Sequence, residues 1–465
     1  MWDAGTGGVE KLHEECGVFG IFAPEGEQVA KEVYYGLTAL QHRGQESAGI
    51  SVCDTSGPKG NLRTKKGMGL VSEVITPRDL SELPGNLGVG HVRYSTTGGS
   101  IPENAQPIAM NYIKGTLALV HNGNLTNAQE LKEGQMLRGQ AHVTTSDTEV
   151  LAYEIISERV KTGSIEEAVR NAMGRLKGGY AVLVMSPRKL IAVRDPFGIK
   201  PLVLGKREDT YILASESAAI SAVGGTLLRD VRPGEILTVT EGGIDSDLSM
   251  CRNTEAHCIF EYIYFARSDS VIDGIEVRQA RFRAGEALCA ADGDPGFADL
   301  VCGVPDSGLI AAEGYAHASG LPFAIAFQKN SYIGRSFIKP TAKERQEAVH
   351  LKLSVLKSVV KGKRIVLIDD SIVRGTTMRQ IIEMLRAAGA REVHVRISSP
   401  PFLYPCYYGT DVPSSGQLIA SEHTPEQIRE TIGADSLRYL ALTDLRQMVG
   451  DLPLCAACFD NRYPV

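Results

Sequence analysis

No stretch of this 465-residue chain approaches the ~18–20 consecutive apolar residues that a membrane span requires. An excess of positive charge is missing too: the net charge is −6 and the pI near 6.0, which leaves no electrostatic footprint for nucleic acid or an anionic membrane surface. Residues 1–15 are acidic and glycine-rich and lack an apolar stretch, so they do not read as a secretory signal. Internal repeats and low-complexity tracts are absent. These absences leave a cytoplasmic protein as the expectation. In that reducing compartment nine cysteines are catalytic, metal-binding or buried rather than disulfide-bonded. The length suffices for two or three domains with full cores, and 43% hydrophobic with 22% charged residues is ordinary for a globular chain.

Two rhythms divide the chain. The first half carries short β-type runs at 17–22, 48–52, 88–92, 116–121, 181–185, 190–194 and 211–215, with helical periodicity at 146–161 and 165–176. That density of strands predicts antiparallel sheets layered with helices. After about residue 249 apolar strands (300–304, 323–327, 364–368, 392–398) alternate with helices (309–319, 378–388), which predicts a parallel sheet covered on both faces. The turn-rich stretch 231–249 between them reads as the domain junction.

The most specific motif is Lys363-Arg364-Ile365-Val366-Leu367-Ile368-Asp369-Asp370-Ser371-Ile372-Val373-Arg374-Gly375-Thr376-Thr377. An apolar strand ends in two carboxylates and a hydroxyl-bearing loop that opens a helix. Ligands bind at such strand ends, and the helix N-terminus offers N–H groups and a positive dipole end to a phosphate. The nucleotide loop G-x-x-x-x-G-K is absent. The run resembles the signature of the type I phosphoribosyltransferases. That resemblance implies a ribose and Mg²⁺ site at Asp369 and Asp370, and a 5′-phosphate cradle of Ser371, Val373, Arg374, Gly375, Thr376 and Thr377. It also makes Gly303-Val304-Pro305-Asp306-Ser307-Gly308 the pyrophosphate-side loop, with Ser307 near one Mg²⁺ per subunit. Residues 328–340, polar and cationic with Lys329 and Arg335, would close over an anionic substrate.

Near the N-terminus stands Glu14-Glu15-Cys16-Gly17-Val18-Phe19-Gly20. Alone, Cys16 reads as a small buried residue opening a strand. A cysteine exposed as residue one would bring its own base, because an α-amine and a thiol have reference pKa values of about 7.7–8.0 and 8.5. Gln41-His42-Arg43-Gly44-Gln45-Glu46, Gly90-His91-Val92-Arg93-Tyr94-Ser95-Thr96, His121-Asn122-Gly123-Asn124 and Thr145-Ser146-Asp147-Thr148-Glu149 are each weak signals. Together with Glu15-Cys16-Gly17 they resemble the N-terminal-nucleophile glutaminase domains. The resemblance implies Cys16 as nucleophile and Asn122 and Gly123 as oxyanion donors. For glutamine it implies Arg93 on the carboxylate, Asp147 on the ammonium and Thr96 in positioning. It also makes residues 1–15 a leader to be removed.

Four further cysteines stay ambiguous on spacing alone. Cys455-Ala456-Ala457-Cys458 is two ligands, not a site, and with scattered Cys258 and Cys406 it allows zinc or no metal.

The order of the two resemblances, glutaminase then phosphoribosyltransferase, is similar to that of the glutamine-dependent amidotransferases that open purine synthesis. Bacterial members with a leader hold one 4Fe–4S cluster per subunit, and that likeness maps its ligands to Cys258, Cys406, Cys455 and Cys458. The expected fold is an α+β αββα glutaminase domain over 16–248, then an α/β type I phosphoribosyltransferase domain with a parallel sheet over 249–465 that includes a cluster-binding tail. Glutamine and phosphoribosyl pyrophosphate would be the substrates, purine nucleotides the feedback inhibitors and a homotetramer the assembly. Amidotransferases that make asparagine would need an S-G-G-x-D-S loop, which is absent. A non-catalytic phosphoribosyl-binding regulator is the alternative of another class, and the intact set of glutaminase residues argues against it.

Overall fold

The structure is a computed structural model that describes residues 16–57, 61–94, 99–330, 353–410, 412 and 415–464. The leader 1–15, Thr96 and Arg335 lie outside the described residues, as does most of the segment 328–340.

Gly17–Phe22 forms a strand with every residue buried. It pairs antiparallel with Leu87–Arg93 on one side and Thr210–Ala214 on the other, in the middle of a seven-stranded sheet. Alternation sends Val18 and Phe22 to one face and Phe19 and Ile21 to the other. The first face packs on a second, six-stranded antiparallel sheet through Val120, Leu183 and Leu190. The second face packs under the helix Ala30–Ala39, where Gly36 lets the backbone settle on the Phe19 ring. Both faces being covered, the strand reads as one continuous apolar run.

The outer face of the six-stranded sheet is covered by the helices Asp147–Lys161 and Ile165–Met173 through Leu151, Ile155, Val169 and Met173. Ser146 caps the first of these by accepting from the Thr148 N–H (3.2 Å). The layers are therefore helix, sheet, sheet, helix, as expected. The stretch 231–249 contains the edge hairpin of this second sheet, Ile236–Thr240 with Gly243–Asp247.

In the second half Leu300–Gly303, Arg364–Asp369, Glu392–Ile397 and Ser436–Tyr439 form a four-stranded sheet, parallel throughout. One face carries Val277–Asp292 and Gly308–Ser319, which cross closely because Gly285 and Gly314 each face a carbonyl oxygen of the other helix. The other carries Thr376–Ala387 and Pro425–Ile432. The strand expected at 323–327 differs. Phe323 makes a single bridge to Val301, and the actual strand, Phe327–Lys329, pairs antiparallel with Leu353–Val355. Phe323 and Ile325 are 40% and 58% exposed, so no packed layer holds them in the parallel sheet.

Candidate active sites

Cys16 stands immediately before the buried strand, and its side chain is buried with it. The thiol donates to the Tyr94 carbonyl at 3.4 Å. Burial pushes its pKa up to about 11, against the pull of the nearby Arg93 guanidinium and the Tyr94 bond. Asp147 and Glu46 are near enough to push it further up. Cys16, Arg93 and Asp147, far apart in sequence, thus share one electrostatic neighbourhood. Among the described residues no side-chain base bonds the sulfur, so the thiol has almost no thiolate at neutral pH without another base.

Asp147 begins the helix Asp147–Lys161 and is buried. Burial disfavours its charge, but the His121 imidazole (3.6 Å), the Leu125 N–H (3.0 Å) and Arg93 together hold it below the usual carboxylate range. His91 donates through Nε2 to the His121 carbonyl (2.9 Å), and burial drops its pKa to about 3, so it is neutral at physiological pH. Asn122 lies between these groups on the strand Gly115–Leu125. It is 1% exposed, and neither its amide nitrogen nor its oxygen has a partner among the described residues. Buried amides are almost always bonded, so both polar ends of Asn122 are open to a water or a ligand atom. Gly123 follows with φ +136°, and a Cβ there would strike the Gly179 oxygen at 2.1 Å, so only glycine fits.

Sequence reasoning gave no task to Arg43, Glu216 or Glu261. Arg43 is buried and donates through Nε to the Cys16 carbonyl (3.1 Å). Its other nitrogens bond Glu216 (2.7 Å) and both oxygens of Glu261 (2.9 and 2.5 Å). Burial opposes the charge on Glu216, yet His42 and Arg43 hold it well below the carboxylate range. The backbone of Cys16 is thereby keyed to Glu261 of the second half. The motif Gln41-His42-Arg43 marked the right spot, but a partner 218 residues away leaves no local pattern to read.

In the second half Asp369 ends its strand and accepts from the Asp370 N–H (3.0 Å). Asp370 receives the hydroxyls of both Ser307 and Ser371, which joins the two strand-end loops. The left-handed Gly375 (φ +86°) turns the chain into Thr376–Ala387, so Ser371, Val373, Arg374, Thr376 and Thr377 ring the helix start. A small pocket there is lined by Asp369, Asp370, Ser371, Val373, Gly375 and Thr377, while Arg374 reaches Gln417. Lys329 pairs with Asp306 of the Ser307 loop. Burial draws the pKa of Arg281 down to about 10, against the attraction of Asp370.

The four ambiguous cysteines also meet. His257–Cys258 and Leu454–Cys455 form a two-residue parallel pair with Cys258 opposite Cys455. The Cys458 carbonyl accepts from the Leu403 and Tyr404 N–H groups (3.0 and 3.1 Å), which brings in the Cys406 turn. Burial, then the neighbouring Cys406, Cys258 and Cys455, push the Cys458 thiol far up, and burial takes Cys455 to about 12. Among the described residues no three His, Cys, Asp or Glu side chains are close enough to share one metal ion.

Residues 91–222 match the glutamine amidotransferase domain family and residues 285–398 the phosphoribosyl transferase domain family. A glutamine amidotransferase joined to a phosphoribosyltransferase is the class that this fold and these two sites define. The chain is 45% identical over 464 residues to the amidophosphoribosyltransferase of Methanocaldococcus jannaschii, covering 97% of each, and 46% identical to that of Bacillus subtilis, covering 98% of this chain and 95% of the other. A solved glutamine phosphoribosylpyrophosphate amidotransferase from B. subtilis, complexed with ADP and GMP, superposes with a TM-score of 0.87 at 45% identity over 97% of both chains. The chain belongs to the amidophosphoribosyltransferase family.

Proposed function

We propose that the protein converts glutamine and phosphoribosyl pyrophosphate into 5-phosphoribosylamine, glutamate and pyrophosphate, the first committed step of purine synthesis. The observation that carries this reading is the convergence of Arg93 and Asp147 on the buried Cys16 thiol. A free amino acid needs a cation for its carboxylate and an anion for its ammonium, and one of each is near enough to act on the sulfur.

With the leader removed, the α-amine of Cys16 takes the thiol proton. The sulfur attacks the side-chain amide carbon, and the oxyanion falls to Asn122 Nδ2–H and the Gly123 N–H. The α-ammonium passes its proton to the amide nitrogen, collapse expels ammonia and leaves a thioester, and water hydrolyses that thioester to glutamate and the free thiol. The orphaned Asn122 amide supports this assignment, because its hydrogen bond forms only when substrate arrives. Thr96 helps position the substrate.

Ammonia passes inside the protein to the second site and attacks C1 of phosphoribosyl pyrophosphate, and pyrophosphate leaves. A dry passage keeps it unprotonated and out of bulk water. Asp369 and Asp370 hold the ribose hydroxyls. Residues 371–377 cradle the 5′-phosphate with their N–H groups and hydroxyls, and Lys329 with Arg335 neutralises the pyrophosphate. Asp369, Asp370 and Ser307 would hold Mg²⁺, which when bound offsets the charge of the departing pyrophosphate. Their clustering at two strand ends, with Ser307 already on Asp370, suits such an ion.

Cys258, Cys406, Cys455 and Cys458 suit a 4Fe–4S cluster better than zinc. Their thiols influence one another, and four thiolates suit such a cluster. The cluster would tie the C-terminal tail to the middle of the chain. Purine nucleotides are the proposed feedback inhibitors, since a B. subtilis relative was solved with ADP and GMP. A homotetramer in the cytoplasm completes the proposal. No helix among the described residues is long and apolar enough to cross a membrane.

The test is Cys16→Ala assayed with glutamine and, separately, with ammonium salts. Glutamine-dependent pyrophosphate release should vanish while ammonia-dependent release persists. Loss of both in a folded protein would end the division of labour between the halves.

A further inference from the structure

The strand that carries Asn122 and Gly123 has a second neighbour behind it. Asn124 donates through Nδ2 to the Tyr407 carbonyl at 2.9 Å, across 283 residues. Gly409 sits so close behind the strand that a Cβ on it would lie 3.0 Å from the Gly123 carbonyl carbon and 3.3 Å from the Asn124 nitrogen. Gly179 pairs with Asn124 across the sheet, and a Cβ there would meet the Tyr408 Cβ at 3.2 Å. Three consecutive positions of one turn therefore touch the backbone around the oxyanion donors.

The turn itself is firmly held. Tyr408 is 2% exposed, and its N–H donates to the Cys406 sulfur (3.4 Å). Tyr463 lies against the rings of Tyr407 and Tyr408 (4.9 and 6.1 Å between centroids) and donates to the Pro405 carbonyl (2.7 Å). The partner strand is different. Gly123, at φ +136° and paired with Tyr180 across the sheet, has no side chain of its own to fix its peptide from behind. An oxyanion donor must stay within about 0.5 Å of its working position. Something has to pin that peptide.

We propose that the turn Cys406-Tyr407-Tyr408-Gly409 of the transferase half positions the oxyanion donors of the glutamine site, with Asn124 and Gly409 as its positioning residues. The inference rests on the glutamine reading above and extends it. The catalytic power of the first half is set by a turn of the second. Because Cys406 is part of that turn, whatever fixes the four thiols also fixes the oxyanion geometry. Binding of glutamine is a separate matter, since it is assigned to other side chains, Arg93 and Asp147.

The experiment compares the full-length wild-type protein with Gly409→Ala and Asn124→Ala, all isolated with their iron. Gly409→Ala forces a side chain against Gly123 at φ +104°, whereas Asn124→Ala removes the bond to Tyr407 without adding bulk. For both, kcat with glutamine should fall on the order of tenfold to hundredfold, as misplacements of up to 1 Å do. The KM for glutamine, the ammonia-dependent rate and the iron content should stay at wild-type values. An unchanged kcat, or a rise in KM at constant kcat, overturns the proposal. Parallel loss of both activities and of iron in Asn124→Ala does so too, since that is plain structural damage. Should Gly409→Ala not fold, Asn124→Ala decides alone. Absence of glutamine-dependent turnover in the wild-type protein would instead sink the underlying function.

Discussion

Asn122→Leu separates catalysis from stability in one substitution. Leucine matches the shape of asparagine but can neither donate nor accept. Asn122 is 1% exposed, with both polar ends of its amide orphaned among the described residues. An amide orphaned in this way costs about 1–3 kcal/mol of folding free energy, and an apolar residue of the same shape removes the cost. The variant should therefore unfold later in urea, by roughly 1–3 kcal/mol in the transition of the first half. Its glutaminase kcat should drop by about 10²–10³, or about 2.7–4 kcal/mol of barrier, the usual effect of losing one oxyanion donor. The glutamine KM and the ammonia-dependent rate should hold, because Arg93, Asp147 and the second site are untouched. Steady-state kinetics with each nitrogen source and urea unfolding followed by circular dichroism supply the readings. A variant less stable than wild type would show that the amide is bonded in the resting protein. An unchanged kcat would remove Asn122 from the chemistry.

Arg43→Met takes the guanidinium away from buried Glu216 and Glu261, with the His42 imidazole still on Glu216. Breaking a buried pair from one side costs about 3–5 kcal/mol, so thermal unfolding should come markedly earlier, and an unshifted midpoint would deny the network its structural role. Cys455→Ser should abolish bound iron and its visible absorbance, whereas Cys289→Ser, outside the array, should retain both. Iron retained by Cys455→Ser would exclude it as a ligand.

The sequence disclosed most where one residue type repeats against one environment. The nucleophile strand was readable because both its faces are buried, and the four parallel strands gave apolar runs for the same reason, except Ser436–Tyr439 at the sheet edge. Leu62–Met68 and Thr226–Asp230 went unread: they are edge strands, largely open to solvent, and Lys65-Lys66 or Arg229-Asp230 look like loop. The helix Ala30–Ala39 buries only four residues, two of them Ala30 and Gly36, too little for a visible stripe. Among the sites, the Asp369-Asp370 loop was legible because its chemistry is contiguous. The neighbourhood of Cys16 was legible only through resemblance to a family. What no local pattern conveys is pairing across the halves: Arg43 with Glu261, Arg194 with Asp273, Asn124 with Tyr407. Those contacts are set by how two finished layers meet.

The pairing of His257–Cys258 with Leu454–Cys455 also bears on biosynthesis. A ribosome delivers the chain from its N-terminus, and domains fold as they emerge. The strands of both antiparallel sheets are complete by Asp247, so the first half can close early. Cys258 and Cys406, however, must wait for Cys455 and Cys458, made within the last dozen residues. A chain that stops short of Cys455, however well its sheets have formed, lacks half of its thiol array.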